Sequence, residues 1–134
     1  MSDQQPGGIK ADGASALKGK TGFTRVVNAF FYSLAGLRAA FRDEAAFRQE
    51  VVLAALLLPL AFFMPVGGIG KALMIASVLL VLIVELLNSA VEVLADKVTT
   101  EKHELIKNAK DIGSAAVLVA LINVPVVWML ALFG

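Results

Sequence analysis

"IVELLNSAVEVLAD", residues 83–96, ends a long apolar run and places Glu85, Asn88, Glu92 and Asp96 in it. At 100° per residue these positions fall at about 0°, 300°, 340° and 20° on a helix, one narrow stripe rising about 16 Å. Ser89 lies beside it. A carboxylate at lipid depth costs roughly several kcal/mol, so such groups face a bundle interior or a wet cavity and are functional candidates. The structural alternative is interhelical hydrogen bonding by Asn88 and Ser89, with protonated glutamates joining in.

The remainder of the chain fits a membrane reading. It has 134 residues, 58% of them hydrophobic and 17% charged, and a mean hydropathy of +0.79. These values lie outside ordinary globular usage and predict one small all-α membrane domain. The net charge of +1 says nothing about partners, and no nucleic-acid partner is expected. Without cysteine there is no disulfide or thiolate chemistry.

Residues 1–20 are polar, small and Gly-rich, without the apolar core of a signal peptide, and are expected to form a disordered tail. "GASALKGKT" (13–21) imitates a phosphate-binding loop, but Ala14 stands where that motif needs glycine and no strand precedes it. Residues 21–134 make the single domain. Over about 23–42, Phe23, Val26, Val27, Phe30, Leu34, Leu37 and Phe41 lay an apolar stripe on a helix, opposite Arg25, Asn28, Tyr32 and Asp43. That is an amphipathic helix suited to an anionic bilayer surface.

Spans are predicted over about 47–66, 71–95 and 111–133, each long enough to cross a hydrocarbon core. "MPVGGIGK" (64–71) is a tight connection between the first two. In the polar loop 96–111, Thr99 or Thr100 can cap a helix, with Glu101 and Glu104 in its first turn, that runs into the third span. Lys and Arg crowd the N-terminal segment and this loop, whereas the first connection holds only Lys71. The positive-inside rule then puts the N-terminus and the loop in the cytoplasm and the C-terminus outside.

Two more clusters lie at the inner interface. Glu44 and Glu50 occur in "RDEAAFRQE" (42–50), and His103, Lys107, Lys110 and Ser114 share one helical face. Taken alone, the first is an interfacial charge run and the second a solvated basic face. Together they suggest a chemistry. Interfacial carboxylates can hold Mg²⁺ beside phosphate, and lysines neutralise phosphate oxygens. A desolvated glutamate accepts a proton more readily. That set fits phosphoryl transfer from a nucleotide to a lipid hydroxyl. The same residues leave the lipid undefined, and leave proton or ion translocation through a small membrane scaffold open.

The segments 21–50, "VELLNSAVEVLADK" (84–97), "EKHEL" (101–105) and "AKDIGSAAVL" (109–118) resemble the small prokaryotic integral-membrane diacylglycerol kinases over about residues 21–131. "VELLNSAVE" alone also fits the related undecaprenol kinases. The resemblance implies a surface helix plus three spans in a homotrimer of the bacterial inner membrane. It implies transfer of the ATP γ-phosphoryl group to 1,2-diacylglycerol with Mg²⁺. Glu85 would be the catalytic base, and Glu44 and Glu92 the metal ligands. Arg25, Tyr32, Glu44, Glu92, Glu101, Lys102, His103, Lys110 and Asp111 would form the nucleotide site, with Asn88 and Asp96 supporting the stripe.

The same resemblance implies lipid contacts. They would come from Arg25, Ala29, Phe30, Phe31, Tyr32, Ser33, Leu34, Arg38, Ala39, Ala40 and Phe41 on the surface helix, and from Ala46, Phe47, Arg48, Gln49 and Glu50. Glu85, Ser114, Trp128, Met129, Leu130, Ala131, Leu132 and Phe133 would complete them. The chain departs from the family pattern at Leu34, where tryptophan is usual, at Ala35, where lysine is usual, at Lys102, where an aromatic residue is usual, and in its longer tail. Three spans cannot easily enclose three carboxylates, so neighbouring copies are expected to cover the stripe.

Overall fold

The computed structural model describes the backbone of residues 11–98 and 103–134, with side chains from Thr21 on. Among these residues the secondary structure is helical throughout: α1 (Ala11–Asp43), α2 (Ala45–Phe63), α3 (Gly68–Val98) and α4 (Glu104–Phe133). Residues up to Arg38 form one compact unit and Ala39–Gly134 another.

The first unit is the N-terminal part of α1. The helix begins at Ala11, not near residue 23, so half of the expected disordered tail is helical. Ala11, Ala14, Ala16, Leu17, Lys18 and Lys20 are strong helix formers, and an existing helix extends through such residues at little cost. Phe23, Val26 and Phe30 are fully open on its surface, an apolar stripe without a partner in its own unit.

In the second unit α2, α3 and α4 are each long and apolar enough to cross a membrane. They are offset from the predicted spans: α2 starts and ends earlier, and α3 and α4 extend further toward the 99–102 segment. At 31 residues α3 is about 46 Å long, more than the roughly 30 Å a hydrocarbon core requires, so one end projects. The turn after α2 is short, with Val66 N donating to Met64 O at 2.8 Å and Lys71 N to Gly67 O at 3.0 Å. Pro59 and Pro125 sit inside helices, as membrane helices tolerate.

The central helix is α3, onto which both α2 and α4 pack. Its buried face reads Met74, Ser77, Val78, Val81, Glu85, Asn88, Ser89 and Ala95, the i, i+3, i+4 spacing of a helix stripe. One half of that face is mainly apolar. Met74 and Val78 join Ala54 and Ala61 of α2 and Trp128 of α4 in the core, with Ala131 and Leu132 packed against it. The indole Nε1 of Trp128 donates to Met74 O at 3.3 Å, tying α4 to α3. The other half of the face is polar, and there the helices approach closely. A Cβ on Gly113 of α4 would collide with the Asn88 side-chain oxygen.

Substitutions at two positions test this packing in detergent. Trp128→Phe should lower unfolding stability by about 0.5–1.5 kcal/mol through the lost hydrogen bond, and Trp128→Ala by several times that. Gly113→Ala should cost about 1–3 kcal/mol, because Asn88 must move aside in a packed interface. Denaturant titration followed by circular dichroism measures both.

Candidate active site

The polar half of the α3 face holds the stripe predicted from sequence, and its members differ in exposure. Glu85 is 4% exposed, Asn88 and Ser89 are buried, Glu92 is half-buried and Asp96 is open. Burial therefore fades along the helix. Glu85 lies 17 residues beyond Gly68, about 26 Å along the axis. A core of roughly 30 Å beginning at Gly68 would leave Glu85 just inside its far edge.

Glu44 enters from the corner before α2 and Glu50 from α2 itself. Glu44 is the single non-helical residue between α1 and α2, with φ −111° and ψ 107°. It occupies the N-cap position, yet its side chain makes no capping hydrogen bond, so its carboxylate is half-buried and uncommitted. The charges of Glu92 and Glu44 both act at Glu85, and that of Glu85 acts at Glu50. Glu44, Glu50 and Glu92 are thus each coupled electrostatically to Glu85. Oε2 of Glu50 is buried without a hydrogen-bond partner, and so are Asn88 Oδ1 and Ser89 Oγ. Glu50 also borders an apolar cavity of about 160 Å³ between α2, α3 and α4, lined by Leu53, Ala54, Leu57, Val78, Val81, Leu121, Val124 and Pro125.

Basic residues stand at the open end. Lys110 Nζ of α4 pairs with Asp96 Oδ1 of α3 at 2.8 Å, and the charge of Glu92 also reaches it. Lys107 Nζ pairs with Asp111 Oδ2 at 2.6 Å. The expected face of His103, Lys107 and Lys110 is therefore not a row of unpaired cations. His103 is the N-cap of α4, its Nδ1 accepting from Leu105 N at 3.2 Å, so the helix starts at Glu104 under a histidine cap. The expected caps Thr99 and Thr100, and the expected nucleotide contacts Glu101 and Lys102, lie outside the described residues.

No three of the carboxylates close on a single point: among the described residues no group of three His, Cys, Asp or Glu side chains is placed to hold a metal. Magnesium asks less of a protein, taking one or two carboxylates and filling its shell with phosphate and water. Glu44 and Glu92 fit that role, being half-buried and sharing a field at Glu85.

The expected lipid contacts divide. Arg25, Ala29, Phe30, Phe31, Tyr32, Ser33 and Arg38 are exposed on α1, and Leu34 is half-buried there. In the second unit Phe41, Ala46, Gln49, Ser114, Met129, Leu130 and Phe133 face outward. Ala40, Phe47 and Trp128 are buried within the chain, and Ala131 and Leu132 pack on its core, where they serve the fold. Arg48 is also differently engaged, donating to the backbone carbonyls of Phe41 and Arg42. Gly113 was not among the predicted residues; the small-residue run "GSAA" (113–116) is the signal of close helix approach that points to it.

Residues 31–132 match the family model for prokaryotic diacylglycerol kinase. A diacylglycerol kinase of Pseudomonas aeruginosa is 57% identical over 120 residues, covering 90% of this chain and 98% of that protein. The Haemophilus influenzae diacylglycerol kinase is 54% identical over 108 residues, covering 81% and 92%. That of Escherichia coli K12 is 50% identical over 114, covering 85% and 93%. Likeness of this extent spans the cluster, the cavity and the paired lysines together, and the chain belongs to the prokaryotic diacylglycerol kinase family.

Proposed function

We propose that this chain transfers the γ-phosphoryl group of ATP to the hydroxyl of 1,2-diacylglycerol, giving phosphatidate and ADP. The observation that carries the reading is the buried Glu85 carboxylate. Its field is shared with the half-buried carboxylates Glu44 and Glu92, and its charge also acts on Glu50, which lines an apolar cavity. A lipid alcohol and a charged nucleotide need that pairing of environments.

In this reading the lipid hydroxyl gives its proton to Glu85 as its oxygen bonds to the γ-phosphorus and the bond to the β-phosphate oxygen breaks. Phosphoryl transfer demands mainly positioning and charge neutralisation. Glu44 and Glu92 would hold Mg²⁺, which when bound offsets the charge on the phosphate oxygens. Lys110, held at the mouth by Asp96, is a cation within reach of the nucleotide's phosphates. Arg25, Tyr32, Glu101, Lys102, His103 and Asp111 are further nucleotide contacts that the family resemblance implies. The exposed apolar and polar residues of α1 and the outer ends of α2 and α4 contact the lipid.

The chain works at the cytoplasmic leaflet, with its N-terminus inside and its C-terminus outside, as its charge distribution favours. The family resemblance points to a homotrimer, in which neighbouring copies would cover the side of the stripe that the chain's own helices leave open.

Glu85→Gln should lower turnover by about 10²–10⁴-fold and leave binding of magnesium nucleotide unchanged. Labelled ATP with purified protein in mixed micelles reads the first, and calorimetry the second. Full activity in the variant would remove Glu85 as the base. Offering diacylglycerol and undecaprenol side by side should give phosphatidate as the main product. A preference for the polyprenol would change the substrate class.

A further inference from the structure

We propose that Arg48 is a positioning residue for the nucleotide–metal end of the site: it locks the corner between α1 and α2 and so aims the Glu44 carboxylate. The inference rests on the reading of Glu44 as a ligand of the magnesium nucleotide.

The corner consists of one residue. Glu44 alone leaves helical geometry, so its φ and ψ decide where its side chain points. The backbone holds it from both sides, Glu44 N donating to Ala40 O at 2.9 Å and Arg48 N to Glu44 O at a longer 3.2 Å. The side chain contributes no bond of its own. A break of this kind also strands the last carbonyls of the helix before it, which no longer have intrahelical donors.

Arg48, in the first turn of α2, supplies what is missing. Its Nη1 reaches back over the break and donates to Phe41 O at 2.9 Å and Arg42 O at 2.8 Å. A cation at a helix C-terminus is also favoured by the peptide dipoles. The nearby carboxylate does not compete for it, since Asp43 is held by Arg42 through two bonds of 2.8 and 2.9 Å. Ala40 and Phe47, on either side of the corner, are buried and anchor its flanks. The guanidinium thus ties the end of α1 to the start of α2 around Glu44. A lysine at this position keeps the charge and three donors, but its ammonium ends a flexible stem and lacks the rigid planar guanidinium that holds this geometry.

A lipid-contact role for Arg48 and this positioning role give opposite results. Binding of a non-hydrolysable ATP analogue with Mg²⁺ is measured by calorimetry on the purified full chain in detergent. The set is wild type, Arg48→Met, Arg48→Lys, Glu44→Gln and the Met–Gln double variant. The KM values for nucleotide and diacylglycerol are measured alongside.

Glu44→Gln should weaken nucleotide binding by about tenfold or more, and Arg48→Met by a comparable factor, as for other residues that orient a ligating group. The double variant should bind no more weakly than Glu44→Gln alone, because Arg48 acts through Glu44. Arg48→Lys should recover part of the loss, and the KM for diacylglycerol should stay constant. Losses that multiply in the double variant overturn the inference, as does a raised lipid KM with unchanged nucleotide binding. If Arg48→Met does not elute as wild type on gel filtration, Arg48→Lys carries the test. Its affinity loss must vanish in the Glu44→Gln background, and persistence there overturns the inference. Unchanged binding in Glu44→Gln itself removes the ligand role of Glu44 and this inference with it.

Discussion

The structure depends on one buried carboxylate. Glu85 continues the face of α3 that, further along, packs the core with Met74 and Val78. A charge taken out of water costs several kcal/mol unless it is neutralised, paired or metal-compensated. The rest of the second unit can be understood as arrangements around that constraint. Apolar packing holds α3 fast at the end where the face carries Met74 and Val78, with Trp128 bonded across to it. The polar end can then remain polar. Gly113 lets α4 approach Asn88 closely, while Glu44, at the corner before α2, and Glu50 of α2 add acidic charge whose repulsion the apolar packing must withstand. Stability at one end of the bundle maintains a strained electrostatic arrangement at the other.

The same division separates what the sequence discloses from what it hides. Stripe membership follows from angular arithmetic, and Glu85, Asn88 and Glu92 are on the buried side of α3 as 100° per residue requires. The three spans are visible as apolar length. Their ends are not, because helix termini are set by caps and turns: His103 caps α4 from a segment that reads as an ordinary polar loop. The helical start at Ala11 was hidden for a related reason, since the Gly-rich composition of residues 1–20 masks a run of good helix formers after Ala11.

Partner choice is harder still to read. An arginine in "AAFRQE" (45–50) looks like an interfacial cation for lipid headgroups, yet Arg48 bonds to two carbonyls across a helix break that periodicity does not reveal. Lys107 and Lys110 look like free phosphate binders, yet each already has an aspartate. Trp128 looks like an interfacial anchor, as tryptophan near a span end usually does, yet its indole lies in the core. In each case the structure adds a partner within the protein that residue type and periodicity do not reveal.

The ion pairs at the mouth bear on how a small chain can manage so much acidic charge. Exposed pairs such as Lys110–Asp96 contribute about 0–1 kcal/mol to stability, so the fold does not need them. They matter electrostatically. With Asp96 partnered, Lys110 is held where the charge of Glu92 also reaches it, so a cation stands among the carboxylates at the open end of the stripe. Under the proposed reading the order along the stripe has a physical sense: an open end where Lys110 would meet phosphate, a half-buried middle that would suit a divalent ion, and a desolvated end where the alcohol would react. A reversed order would put the strongest desolvation at the water-facing end, where burial is hardest to maintain, and leave the lipid facing charge.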